Sequence, residues 1–127
     1  MSVGSFDPQQ QNQVVSEDSV RKLLADAQLA NDQIQVADAA QHAGLITLKG
    51  WTELAEALDV SEIETLIRIF TLGEMQLPGW RANEKSAVVP LVKVLKARGA
   101  YDKALTAWIK QHSDNRFLPH GSLLDRL

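Results

Sequence analysis

Three residues near the C-terminus, His112, Asp114 and Ser122, have the types that an acyl-transfer triad requires. In such a triad a histidine activates the serine and a carboxylate orients the histidine. The serine usually stands on a sharp turn between a strand and a helix, and no serine in this chain has that context. His112 falls on the apolar face of a predicted helix, where a hydrogen-bonded core histidine is the better interpretation. We therefore expect no catalytic residues and a protein that is not an enzyme.

Metal and cofactor chemistry also lack suitable residues. The chain contains three histidines and no cysteine. A metal site needs three or four converging ligands, which a spacing such as His112-x-Asp114 does not supply. No Gly-rich loop of the phosphate-binding kind is present. We expect no metal and no cofactor, and the absence of cysteine is typical of a cytoplasmic protein.

Charge is divided unequally along the chain. Residues 1–77 carry twelve acidic and four basic groups, a net charge of −8, whereas residues 78–127 carry nine basic and four acidic groups, a net charge of +5. If one helix continues through this region, Lys85, Lys93 and Lys96 project from one side of it, away from its apolar face. This side is either an ordinary solvated face or a docking surface for an acidic partner.

Two further segments extend the candidate surface. In the loop Pro78-Gly79-Trp80-Arg81 an aromatic residue stands beside a cation, a combination enriched at binding hot spots. The sequence favours Trp80 as a core residue, with an exposed contact as the alternative. Residues 113–122 are rich in turn formers and form either a clasp held by apolar side chains or part of a binding site. The candidate partner-binding residues are Trp80, Arg81, Lys85, Lys93, Lys96, Arg116 and His120.

The elements that position these residues are predicted to be helices throughout. Apolar residues recur with helical spacing from residue 16 onward, and no segment alternates with period two over enough length to indicate a strand. The predicted helix starts are Ser16, Asn31 or Asp32, Thr47, Ser61 in a capping box with Glu64, Asn83 or Ser86, and Asp102. We expect an all-α protein: one compact bundle of about six short helices over residues 16–127. Residues 1–15, which are rich in Gln, are predicted to be a flexible tail.

The expected function is binding of another protein, in a regulatory role, through the basic C-terminal half. No apolar run is long enough for a membrane span, and no secretory signal opens the chain. An alternative is nucleic-acid binding, because residues 51–61 resemble the first half of a helix-turn-helix, with Ala55 where the two helices cross. Against it, Glu62 and Glu64 would face phosphates. A homodimer, in which the acidic half of one copy meets the basic half of another, is also open.

Overall fold

The longest element is a 17-residue helix, Val60–Gln76, which lies at the centre of the core. It begins at Asp59, whose Oδ1 accepts a hydrogen bond from the Glu62 backbone N–H at 2.7 Å. The Glu62 carboxylate accepts from the Asp59 N–H at 3.0 Å, which completes a capping box. The predicted capping box at Ser61 and Glu64 is therefore wrong by two residues. The predicted apolar face is buried, with Ile63, Leu66, Ile67, Ile69, Phe70 and Leu72 inside the core.

The computed structural model describes residues 14–121, which form six α-helices and one two-stranded hairpin. The elements are α1 (Glu17–Asp26), β1 (Ala27–Ala30), β2 (Gln33–Val36), α2 (Ala39–His42), α3 (Trp51–Leu54), α4 (Val60–Gln76), α5 (Val88–Ala97) and α6 (Lys103–His112). Short 3-10 helices cover Ala43–Thr47, Ala55–Ala57 and Asn83–Lys85. The small helical fold is confirmed, but the hairpin means that the protein is not purely all-α. None of the helices within residues 14–121 is both long and apolar enough to cross a membrane.

The hairpin replaces the helix that was predicted to begin at Asn31 or Asp32. Both residues have positive φ, 54° and 61°, as the central residues of a type I′ turn require. β1 and β2 pair antiparallel around this turn, with Ala30 opposite Gln33 and Leu29 opposite Ile34. Asn and Asp favour both helix N-caps and left-handed turn positions, so the same dipeptide fits either element.

Other helix boundaries agree in part with the sequence. Ser16 and Asp102 cap α1 and α6 through their side chains, as predicted. Thr47 does not begin a helix, because α3 starts after Gly50, which has a φ of 90°. Pro90 occupies the first turn of α5, where its missing N–H is tolerated.

The core forms where α4 meets its neighbours. The buried face of α5, which includes Leu91, Val92 and Leu95, belongs to the same apolar cluster as α4. Trp51 of α3 packs edge-on against Phe70, with 5.3 Å between ring centroids. The predicted tail lies outside the described residues except for Val14 and Val15. Val15 is buried, and its N–H donates to the Lys49 carbonyl at 2.9 Å.

Candidate partner-binding surface

The lysines of the predicted contact, Lys85, Lys93 and Lys96, are all exposed, and we call them together the basic surface. Lys93 and Lys96 are three residues apart on α5, so they are neighbours on its outer side. Lys85 belongs to the separate 3-10 helix Asn83–Lys85. The continuous helix that would align Lys85 with Lys93 and Lys96 is therefore not present. α5 contains no acidic residue, and no carboxylate within residues 14–121 forms an ion pair with any of the three lysines.

His120 lies beside the basic surface. The Lys96 ammonium donates to His120 Nδ1 at 2.9 Å, and the same Nζ lies 5.5 Å from the centroid of the Tyr101 ring. The His120 and Tyr101 rings meet edge to face, 6.2 Å apart. The C-terminal segment is therefore next to α5, as the sequence predicts. Arg116, from the same segment, is exposed, with its guanidinium carbon 5.2 Å from the ring of Phe117.

Arg81 has a different role from the lysines because it pairs within the fold. One of its terminal nitrogens lies 2.6 Å from the Asp114 carboxylate, and its Nε lies 3.9 Å from Glu74. Its Nε also donates to the side chain of Asn83 at 3.3 Å. Arg81 thus joins the loop before α5 to the C-terminal segment, although its side chain remains 42% exposed.

Trp80 lies in the core, as the sequence favoured, and has no exposed surface to offer a partner. Its Nε1–H donates to the Ala39 carbonyl at 3.0 Å. Its ring packs so closely on Gly73 of α4 that a Cβ there would lie 2.4 Å from Trp80 Cε3. Trp80 is therefore removed from the candidate contact residues.

A buried polar cluster beneath Arg81 was not found from the sequence. The side chain of Glu74 is fully buried in α4, and its Oε2 accepts from the backbone N–H groups of Ala82 and Asn83 at 3.0 and 3.2 Å. Asn115 donates to the same carboxylate and to the Asn83 carbonyl. A carboxylate at the end of the apolar stretch Ile69–Gly73 is a signal in the sequence, since buried charges need partners. Nothing local, however, identifies Asn115 as the partner.

The residues considered for catalysis do not form a triad. His112 Nδ1 donates to the Trp108 carbonyl at 2.8 Å, and its Nε2 faces the carboxylate of Asp32 at 3.2 Å. Asp114 pairs instead with Arg81, and Ser122 lies outside the described residues. No group of three or more metal-ligating side chains occurs within residues 14–121.

The packing of the helices does not favour the helix-turn-helix resemblance. The helix that would enter the major groove is α4, the central helix of the core. Of its residues only Ser61, Met75 and Gln76 are exposed. Glu62, near its N-terminus, pairs with Arg21 of α1. A recognition helix must present a row of side chains to base edges, whereas most residues of α4 are buried or half-buried.

Comparisons with known proteins found no matching family, no similar curated protein and no similar solved structure.

Proposed function

We propose that the protein is a non-enzymatic interaction module that binds an acidic surface of another protein through Lys85, Lys93 and Lys96. The observation that carries the proposal is that these three cations are exposed and have no carboxylate partner within residues 14–121. Cations of this kind raise the rate of encounter with an acidic partner and favour one orientation of docking.

The neighbouring arginines support this choice by contrast. Arg98 donates to the carbonyls of Leu58 and Ala55 at 2.8 and 2.7 Å. Its guanidinium therefore caps the end of the 3-10 helix Ala55–Ala57. Arg81 pairs with Asp114. The lysines have no comparable structural bonds to carboxylates or carbonyls among the described residues. We place Arg116 and His120 at the edge of the contact, with Arg81 contributing through its exposed part.

A regulatory role and a cytoplasmic site of action are parts of the same proposal. Binding without chemistry is how a small regulatory module acts, and a chain with no cysteine suits a reducing compartment. Fractionation of the source cell tests the location. Recovery of the protein outside the cytoplasmic fraction would contradict it.

The test compares two triple variants with the same change in charge. K85E/K93E/K96E reverses the basic surface, whereas K22E/K49E/K110E reverses three exposed lysines elsewhere. Both are immobilised beside the wild type, and the partners retained from the source cell are quantified over a series of salt concentrations. We expect the first variant to lose partners that the control keeps, and the retained partners to dissociate as salt rises. Equal losses in both variants would contradict the proposal.

A second measurement separates protein binding from nucleic-acid binding. An unrelated DNA duplex is incubated with the protein at low salt and examined for retardation in a gel. Retardation that falls steeply with salt and is lost in K85E/K93E/K96E would show that the partner is nucleic acid and not protein.

Light scattering over the same salt series tests the homodimer, because a charge-paired dimer dissociates as salt rises.

A further inference from the structure

A groove separate from the basic surface lies between the hairpin and two helices. It encloses about 160 Å³ and is bounded by Leu29 and Asp32 of the hairpin, Arg68 and Leu72 of α4, and Trp108 of α6. Leu72 is almost fully buried, so it provides an apolar floor, while Arg68 is only half-buried. The groove thus combines an apolar base with a cation, Arg68, and a carboxylate, Asp32, in its walls.

Arg68 is a cation without a polar partner among residues 14–121. Its guanidinium carbon lies 4.7 Å from the ring centroid of Trp108, and it forms no ion pair or hydrogen bond with any residue from 14 to 121. A guanidinium has five N–H donors in a planar fork that matches a carboxylate with two parallel bonds. The contact with the Trp108 ring holds the guanidinium without using these donors.

The wall beside Arg68 is held rigidly by polar contacts of its own. Trp108 Nε1–H donates to Asp32 Oδ1 at 3.2 Å, and the other oxygen of Asp32 faces His112 Nε2 at 3.2 Å. The His112 ring stacks on Trp108, with 4.5 Å between centroids. Asp32 is therefore held against α6 by Trp108 and faces His112, and it forms no ion pair with Arg68.

Leu29 and Ala30 of β1 line the same groove. Leu29 stands opposite Ile34, whose N–H points away from β1 and donates to Gln76 Oε1 at 3.0 Å. Leu29 and Ile34 therefore form a non-hydrogen-bonded pair, in which both residues direct their N–H and C=O groups away from the other strand. The N–H and C=O of Leu29 are accordingly directed outward, and neither has a hydrogen-bond partner within residues 14–121. An unpaired strand edge is a template for another strand.

We propose that this groove binds an extended acidic segment of a partner protein by strand addition. The backbone of the segment pairs with Leu29, and one of its carboxylates binds Arg68 beside Trp108. This mode takes affinity from main-chain bonds and specificity from the side-chain pocket. The charge complementarity of Arg68 selects an acidic rather than a neutral or basic segment. The proposal is independent of the basic surface, because the groove contains none of its three lysines.

The test uses a labelled peptide with the sequence Thr-Val-Glu-Val-Thr, blocked at both ends, and the same peptide with Gln in place of Glu. Fluorescence anisotropy measures binding to the full chain. We expect the Glu peptide to bind about tenfold or more tightly than the Gln peptide, because a charge-assisted pair with Arg68 is lost. R68Q removes this preference, R68K retains part of it, and R116Q, which removes a cation elsewhere, retains all of it.

Amide hydrogen exchange supplies a second readout that charge attraction alone does not produce. We expect the Leu29 N–H to exchange rapidly in the free protein and to become protected when the Glu peptide binds. The N–H of Gln28, which faces β2, should be protected in both states. If R68Q does not fold, the Glu and Gln peptides still test the pocket on the wild type.

Four results would overturn the proposal. The first two are the absence of binding at millimolar peptide and equal affinity for the Glu and Gln peptides. The other two are binding that leaves the Leu29 N–H unprotected, and an affinity for blocked glutamate, which cannot add a strand, equal to that for the Glu peptide. Protection of Leu29 that rises with protein concentration in the absence of peptide would assign the edge to a second copy of the chain instead.

Discussion

The side-chain amide of Asn115 donates to both carboxylate oxygens of Glu74, with Nδ2–Oε distances of 3.1 and 3.2 Å. Both residues are buried. Because Glu74 also accepts from the backbone of Ala82 and Asn83, its carboxylate joins α4, the loop before α5 and the C-terminal segment. The C-terminal segment through Gly121 is in this way part of the folded core, and Arg81 covers the cluster on its outer side.

Glu74→Gln should destabilise the protein by about 2–4 kcal/mol. An amide replaces one accepting oxygen by a donor, which would then face the N–H groups of Ala82 and Asn83 or the amide of Asn115. Urea denaturation measures the free energy of unfolding. Glu84→Gln, at an exposed position, is the control and should change stability by less than about 0.5 kcal/mol. Equal stability of the two variants would show that the cluster contributes nothing.

Gly73→Ala should destabilise the protein by about 1–3 kcal/mol, even though alanine is the better helix former. The added Cβ would lie 2.4 Å from Trp80 Cε3, so the buried ring has to move. Gly44→Ala is the matched control, because a Cβ at Gly44 would meet nothing within 4 Å. It should leave the melting temperature unchanged or raise it slightly. A Gly73→Ala protein as stable as the wild type would contradict the close packing of Trp80 on α4.

Asp59→Ala should cost about 1 kcal/mol of stability, and Ser61→Ala should be close to neutral. The difference follows from the capping box, in which Asp59 and Glu62 bond to each other's backbone N–H groups. Denaturation of both variants under the same conditions distinguishes the cap in the structure from the one that the sequence pattern favoured. A larger loss at Ser61 would restore the sequence-based assignment.

The sequence predicts the long elements well and the short ones poorly, for a physical reason. In α4 and α5 many apolar residues repeat with one period, so errors at single positions do not change the outcome. β1 and β2 have four residues each, too few for alternation to be distinguished from chance. The Asn31-Asp32 turn between them therefore matches the pattern of a helix cap.

The candidate site shows the same limit at the level of side chains. The exposure of Lys93 and Lys96 follows from helical periodicity, and so do their positions on one side of α5. The groove does not, because Arg68 and Leu29 come together only through the packing of the hairpin on α4 and α6. Arg68 also lies in the acidic half of the sequence, so the division of charge does not predict a binding site there.

Asn31→Val should destabilise the hairpin by about 1–2 kcal/mol, whereas Asn31→Gly should be tolerated. Asn31 has a φ of 54°, a left-handed conformation in which a β-branched side chain is strained. Amide exchange of β1 and β2 measures the effect locally, and urea denaturation measures it globally. An Asn31→Val protein as stable as the Asn31→Gly protein would contradict the left-handed conformation of position 31.

Tyr101 provides a pH-dependent prediction, because burial raises its pKa above the usual value of about 10, while the hydrogen bond with Thr106 lowers it by a smaller amount. The unfolded chain therefore releases the phenol proton at lower pH than the folded protein. Stability should be constant below about pH 10 with respect to this group, fall as pH rises above that value, and stop falling above the pKa of the folded state. Tyr101→Phe should abolish this contribution. Since the chain has a single tyrosine, the phenolate absorbance reports this group alone.

Thr106→Val should raise the pKa of Tyr101 further, because it removes the hydroxyl that stabilises the phenolate. A phenolate titration at the same pH in folded and urea-unfolded protein would contradict the burial of Tyr101.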